Sequence, residues 1–179
     1  MGNSSSFKIP LSRSHLHFEI GLRLTDDFQS WFNKKSFKTP NRHGNYSGFN
    51  LVGIDPLPFF AEYQKKSFST VLEYFKSLPV RAKLKVQTNK IPDFVKRYPE
   101  LCPNFKENFK TWDCSFGPFG IPLRLETSLV SNPNDQKIKF VSFDLGGEAK
   151  PCRRLAIKKG NSLIPAEQLQ TYLDLLFGF

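Results

Sequence analysis

Histidine and cysteine are scarce in this chain, and the few present form no pattern that binds metal or cycles redox state. Three cysteines stand among 179 residues, Cys102, Cys114 and Cys152. They are odd in number, widely spaced and without a C-x-x-C pair, so neither a disulfide framework nor a cysteine zinc site is expected, only three reduced thiols. Of the three histidines, His15 and His17 share one face of an expected strand. Two ligands do not make a metal site, and no acid or cysteine cluster completes one nearby. G-x-S-x-G, P-loop, G-x-G-x-x-G and H-E-x-x-H patterns are all missing. The sequence thus points to a protein that is not an enzyme and uses no cofactor, with no catalytic residue and no metal.

Long apolar runs are missing too. No stretch approaches the roughly 18 residues that a membrane-spanning helix needs. The first residues hold no apolar core of a signal peptide, so the expectation is a protein made and kept in the cytosol. Acidic residues are few: 16 Asp and Glu face 26 Lys and Arg, a formal charge of +10. Such a surface attracts polyanions, either nucleic acid or the anionic inner leaflet of a membrane, and composition does not choose between them.

Aromatic residues, in contrast, are plentiful. Phenylalanine alone occurs 19 times, and 39% of residues are hydrophobic. That suffices for one domain with a real core, and it argues against a disordered chain.

Residues 1–14 are small and polar and read as a flexible arm, with residues 15–179 as a single domain. Leu16, Phe18, Ile20, Leu22 and Leu24 occupy every second position, the mark of a half-buried strand. Acids at 26 and 27 then precede Phe28, Trp31 and Phe32 at helical spacing. Periodicity disappears over residues 33–58, which read as one long basic loop. It carries Lys34, Lys35, Lys38 and Arg42 beside Phe37, Tyr46 and Phe49, a mixture that suits lipid headgroups, nucleic-acid bases or a plain solvated loop.

A helix opened by Ser67 is expected over residues 67–78, with Val71, Leu72, Phe75 and Leu78 as its apolar stripe, ended by Pro79. Residues 80–88 alternate cleanly: Val80, Ala82, Leu84 and Val86 on one face, Arg81, Lys83, Lys85 and Gln87 on the other. This basic stripe suits a partner or nucleocapsid surface, and it equally suits lysine protection of an edge strand. Short helices are expected after Pro92 and over residues 103–112, the latter from Phe105 and Phe109. Residues 121–145 read as a hairpin, with a turn at Gly146 and Gly147, a basic third strand in RRLAIKK, and a last helix opened by Pro165 that buries Leu169, Tyr172, Leu173 and Leu176. The sum is an α+β fold: one compact domain, an antiparallel sheet with inserted short helices, and a C-terminal helix.

Two short motifs stand out. The opening MGNSSS matches the N-myristoylation pattern, with Gly2 as the acceptor. One acyl chain binds membranes only marginally and needs a second signal. Lys8 and Arg13 in the arm, with Lys34, Lys35, Lys38 and Arg42 in the loop, supply it electrostatically. The second motif is Tyr98-Pro99-Glu100-Leu101, which matches the Y-P-x-L peptide through which enveloped viruses recruit the adaptor Alix. It also matches a helix that ends before Pro99 with Tyr98 and Leu101 in the core.

With MGNSSS, YPEL, a small size and a strongly basic charge, the chain resembles a viral matrix protein, most of all those of enveloped negative-strand RNA viruses. Retroviral matrix domains also begin Met-Gly but are largely helical, unlike the strands expected here. The resemblance implies a structural protein of the virion interior that coats the cytoplasmic face of host membranes, forms homo-oligomers, binds nucleocapsid or RNA, and promotes assembly and budding with an Alix-type adaptor. Two other readings remain open: a cytosolic RNA-binding protein, such as a nucleocapsid accessory or silencing suppressor, and a cellular lipid-anchored adaptor.

Overall fold

The alternation around Leu22 does form a strand, though a short one. In this computed structural model, which describes residues 18–131, 136–144, 155–160 and 162–179, strand β1 spans Ile20–Arg23. It pairs antiparallel with β2, Leu51–Ile54, in a two-stranded ribbon. Gly21 faces Gly53 across that ribbon. A Cβ on Gly21 would lie 2.5 Å from the Val52 carbonyl oxygen, so the close approach of the two backbones requires glycine there. Leu22, Leu24 and Val52 point into the core.

Between these strands, helix α1 (Phe28–Lys34) buries Phe28 and Trp31. The long loop expected over 33–58 is therefore shorter. Its second half holds β2 and the start of helix α2, Pro56–Gln64. Two prolines, Pro56 and Pro58, lie in the first turn of this helix. Pro56 sits in the first turn, where no N–H is needed, and the Asp55 carboxylate caps the turn by accepting from the Leu57 N–H at 2.9 Å.

Helix α3 (Val71–Ser77) is opened by Thr70, not Ser67. Thr70 and Glu73 form a reciprocal capping box that satisfies two first-turn donors at once, which a serine three residues upstream cannot do. Tyr74 and Phe75 are its buried residues, and Val71 is exposed.

The main sheet has four antiparallel strands in the order β5-β4-β3-β6: β3 Ala82–Gln87, β4 Thr111–Phe116, β5 Pro122–Ser128 and β6 Ile138–Phe143. Ala82, Leu84 and Val86 are buried, and the cationic alternates face outward, as the pattern requires. Edge protection does not explain them, because β3 is interior, paired by β4 on one side and β6 on the other.

Residues 121–145 do not form a hairpin. β5 and β6 lie at opposite edges of the sheet, and the hairpin is β4–β5. Its connection is the 3-10 turn Pro118–Gly120, where Gly120 takes φ +82° and a Cβ would press on the Tyr172 ring at 2.9 Å.

Residues 103–112 are not helical either. They run alongside β5, with the Lys106 N–H donating to Thr127 Oγ1 at 2.9 Å. Phe105 and Phe109 converge on Trp112, with centroids at 5.8 and 4.9 Å, so their spacing serves an aromatic cluster rather than a helix face.

Helix α4 is Asp93–Arg97, with Pro92 as its N-cap. Strands β7 (Ala156–Lys159) and β8 (Ser162–Pro165) make a hairpin, and helix α5, Glu167–Phe177, follows. Pro165 closes β8, and Ala166 is the N-cap of α5. Leu169, Tyr172, Leu173 and Leu176 are buried together as expected, and Phe177 packs on Trp112 at 6.0 Å. The whole is a single compact α+β arrangement with antiparallel sheets around one apolar cluster.

Candidate membrane-facing surface

The loop after α1 is held by residues of its own. Asn50 is fully buried: its side chain accepts from the Thr25 N–H at 3.0 Å and donates to the Thr25 and Asn45 carbonyls at 2.8 and 2.9 Å. That closes residues 25–50 into a loop with ends pinned together. Inside it, Phe37 stacks on Phe32 at 4.6 Å, and Phe49 meets Phe37 at 5.2 Å and Trp31 at 5.8 Å. The rings shield one another, yet Phe37 and Phe49 remain exposed, and Tyr46 is 71% exposed.

Lys34, Lys38 and Arg42 lie on this same segment. All three are exposed and form no ion pair among the described residues. Lys35 differs. Its ammonium reaches Asp174 on α5 at 3.1 Å and lies 5.2 Å from the Trp31 ring centroid. That charge is shared with Asp174, which sets Lys35 apart from the three unpaired cations of the segment. Gly2, Lys8 and Arg13 lie outside the described residues.

The stripe on β3 divides in the same way. Arg81 pairs with Asp144 at 2.9 Å and Lys85 with Asp113 at 3.0 Å, whereas Lys83 is exposed and forms no ion pair among the described residues.

The Tyr98–Leu101 segment is built into the core. α4 ends at Arg97, and Pro99–Leu101 forms a 3-10 turn. Leu101 is fully buried. The Tyr98 hydroxyl accepts from the Arg23 N–H at 3.1 Å, and its ring packs on Phe94 at 4.8 Å. Pro99 and Glu100 are exposed. Leu101 is thus anchored inside the fold and Tyr98 is tied to β1, while Pro99 stays at the surface.

One surface escaped the sequence reading. On α2, Leu57 is 75% exposed and Tyr63 59% exposed, with Phe60 exposed between them. Phe18, the first described residue, rests on Phe60 at 5.6 Å. The signal was present as apolar residues at positions 57, 60 and 63, but the prolines at 56 and 58 concealed the helix that aligns them.

No group of three or more metal-ligating side chains occurs among the described residues. Burial pushes the Cys102 thiol up to about 12 and raises Cys114 well above the ordinary thiol value, so both are protonated and unreactive at neutral pH. Among the described residues no helix is long and apolar enough to cross a membrane. Comparison with protein-family models, with curated proteins and with solved structures finds no match.

Proposed function

We propose that the chain is a peripheral, matrix-like membrane protein that docks on the anionic cytoplasmic leaflet, self-associates there and promotes virion assembly and budding. The observation that carries this reading is that one pinned segment, residues 25–50, exposes both Lys34, Lys38 and Arg42, without ion pairs among the described residues, and the rings of Phe37, Tyr46 and Phe49. Unpaired cations attract anionic headgroups at about 1 kcal/mol each, and exposed aromatic rings settle at the headgroup level. The aromatic stripe on α2 supports the same placement, because Phe18 extends its exposed apolar surface by packing on Phe60. A myristate on Gly2 and this basic surface are each marginal alone and sufficient together.

The sheet face favours nucleic acid less. Lys85 on β3 and Arg81 just before it are already paired with acids, so few counterions are there to be released by phosphates. The reading does not rest on a budding adaptor at Tyr98–Leu101, since Leu101 is buried.

The test is co-flotation of the chain, expressed with an N-myristoyltransferase, on phosphatidylserine and on phosphatidylcholine vesicles. Binding to the anionic vesicles that falls with salt and with Gly2→Ala supports the reading. RNA binding with no vesicle binding overturns it in favour of the RNA-binding alternative.

A further inference from the structure

The register of the main sheet sets two rows of side chains across its outer face. One row reads Glu126, Asp113, Lys85, Lys139 from β5 to β6. Its Asp113 pairs with Lys85, and its Glu126 pairs with Arg124 of the neighbouring row. The next row reads Arg124, Ser115, Lys83, Ser142, two cations alternating with two hydroxyls and no acid at all.

Neighbouring strands stand about 4.8 Å apart, so Lys83 and Arg124 flank the short Ser115 side chain at a separation of about 10 Å between their strands. That gap suits a tetrahedral oxyanion seated over the serine. Lys83 has no ion-pair partner among the described residues. Arg124 commits Nε and one Nη to Glu126, at 2.7 and 2.8 Å, which fixes its guanidinium and leaves its other Nη without a bond among the described residues.

This row opens into a cleft of about 470 Å³ walled by Lys76, Val80 and Leu123. Its size falls in the range of small-molecule sites. The acid that lines it, Glu100, faces Lys76 at a loose 3.6 Å. Lys76 and Arg124 each face an acid, Glu100 and Glu126, so the unpaired positive charge of the cleft is that of Lys83, and Val80 and Leu123 give it an apolar wall for the body of a ligand.

We infer that this cleft binds the phosphate of a small phosphomonoester, held by Lys83 and Arg124 with the Ser115 hydroxyl beneath it. The inference stands apart from the membrane reading above, since it concerns other residues. The phosphate can belong to a soluble ester or to a lipid headgroup; the chemistry is the same.

The test is a titration of the full chain with glycerol phosphate, followed residue by residue in amide NMR spectra, for wild type, Lys83→Met, Ser115→Val and Lys85→Met. Unchanged dispersion of the spectra establishes that each variant is folded. Saturable shifts at residues 83, 115 and 124, weakened at least tenfold by Lys83→Met and at most twofold by Lys85→Met, are expected, because a charge-assisted contact is lost in the first variant only. Equal weakening by both lysine variants, shifts centred on residues 34–42, or no saturable shift overturns the assignment. A second arm compares phosphatidate with phosphatidylserine vesicles. Loss of phosphatidate binding alone in Lys83→Met identifies a lipid source, and unchanged vesicle binding beside a lost glycerol phosphate site identifies a soluble one.

Discussion

Lys35 Nζ lies 3.1 Å from Asp174 Oδ2, a contact between residues 139 positions apart that ties α1 to α5. Asp174 is buried, and its other carboxylate oxygen accepts from Gln170 at 2.7 Å. Lys35→Met leaves that carboxylate with Gln170 alone. A loss of about 1 kcal/mol is expected in urea unfolding, modest because the lysine side chain is 40% exposed. Vesicle binding should stay near wild type. Equal stability with lost vesicle binding would place Lys35 back in the membrane surface.

Leu101 and Tyr98 carry the second prediction. Leu101 is fully buried, so Leu101→Ala should cost about 2–5 kcal/mol of stability. Tyr98→Phe removes the acceptor of the Arg23 N–H and should cost about 1–2 kcal/mol. Chemical denaturation of both variants measures this. A Leu101→Ala protein as stable as wild type would mean that the segment is free to serve as a docking peptide after all.

The third prediction concerns acid. The Arg124 hydrogen bond, helped by one from Asn104 and opposed by partial burial, holds the Glu126 carboxyl below its ordinary value. The unfolded chain therefore binds this proton more readily than the folded one. The stabilisation is complete above the ordinary carboxylate value and is lost as pH falls through the lower, folded one. Glu126→Gln should cost about 0.5 kcal/mol at neutral pH, the scale of a solvent-screened pair, and nothing once wild-type Glu126 is protonated. Urea midpoints of the two proteins measured down a pH series should converge in acid; parallel curves would contradict the pairing.

Legibility in the sequence followed the range of the forces. Ala82, Leu84 and Val86 on β3, and Leu169, Tyr172 and Leu173 on α5, were readable because a buried face imposes its period on neighbouring positions. The Thr70 capping box was equally local, yet Ser67 offered a similar residue three positions earlier. The pairing of β5 with β4 instead of β6 was not readable, since strand order depends on a turn geometry at Phe119 and Gly120 that hydropathy does not report. The site shows the same limit. Lys34, Lys35 and Lys38 look alike in sequence. Only the fold brings Asp174 to one of them, just as it brings Asp144 to Arg81 and Asp113 to Lys85 but, among the described residues, no acid to Lys83.

The central claim, that the α1 loop is the membrane-binding surface, is tested most directly by neutralising the cations left unpaired there. Lys34→Gln, Lys38→Gln and Arg42→Gln in one chain should leave the urea midpoint unchanged, because none of the three has an ionic partner among the described residues. At about 1 kcal/mol each, their loss should weaken binding to phosphatidylserine vesicles by about a hundredfold, and binding to phosphatidylcholine vesicles hardly at all. A triple variant that binds phosphatidylserine vesicles as tightly as wild type would contradict the account.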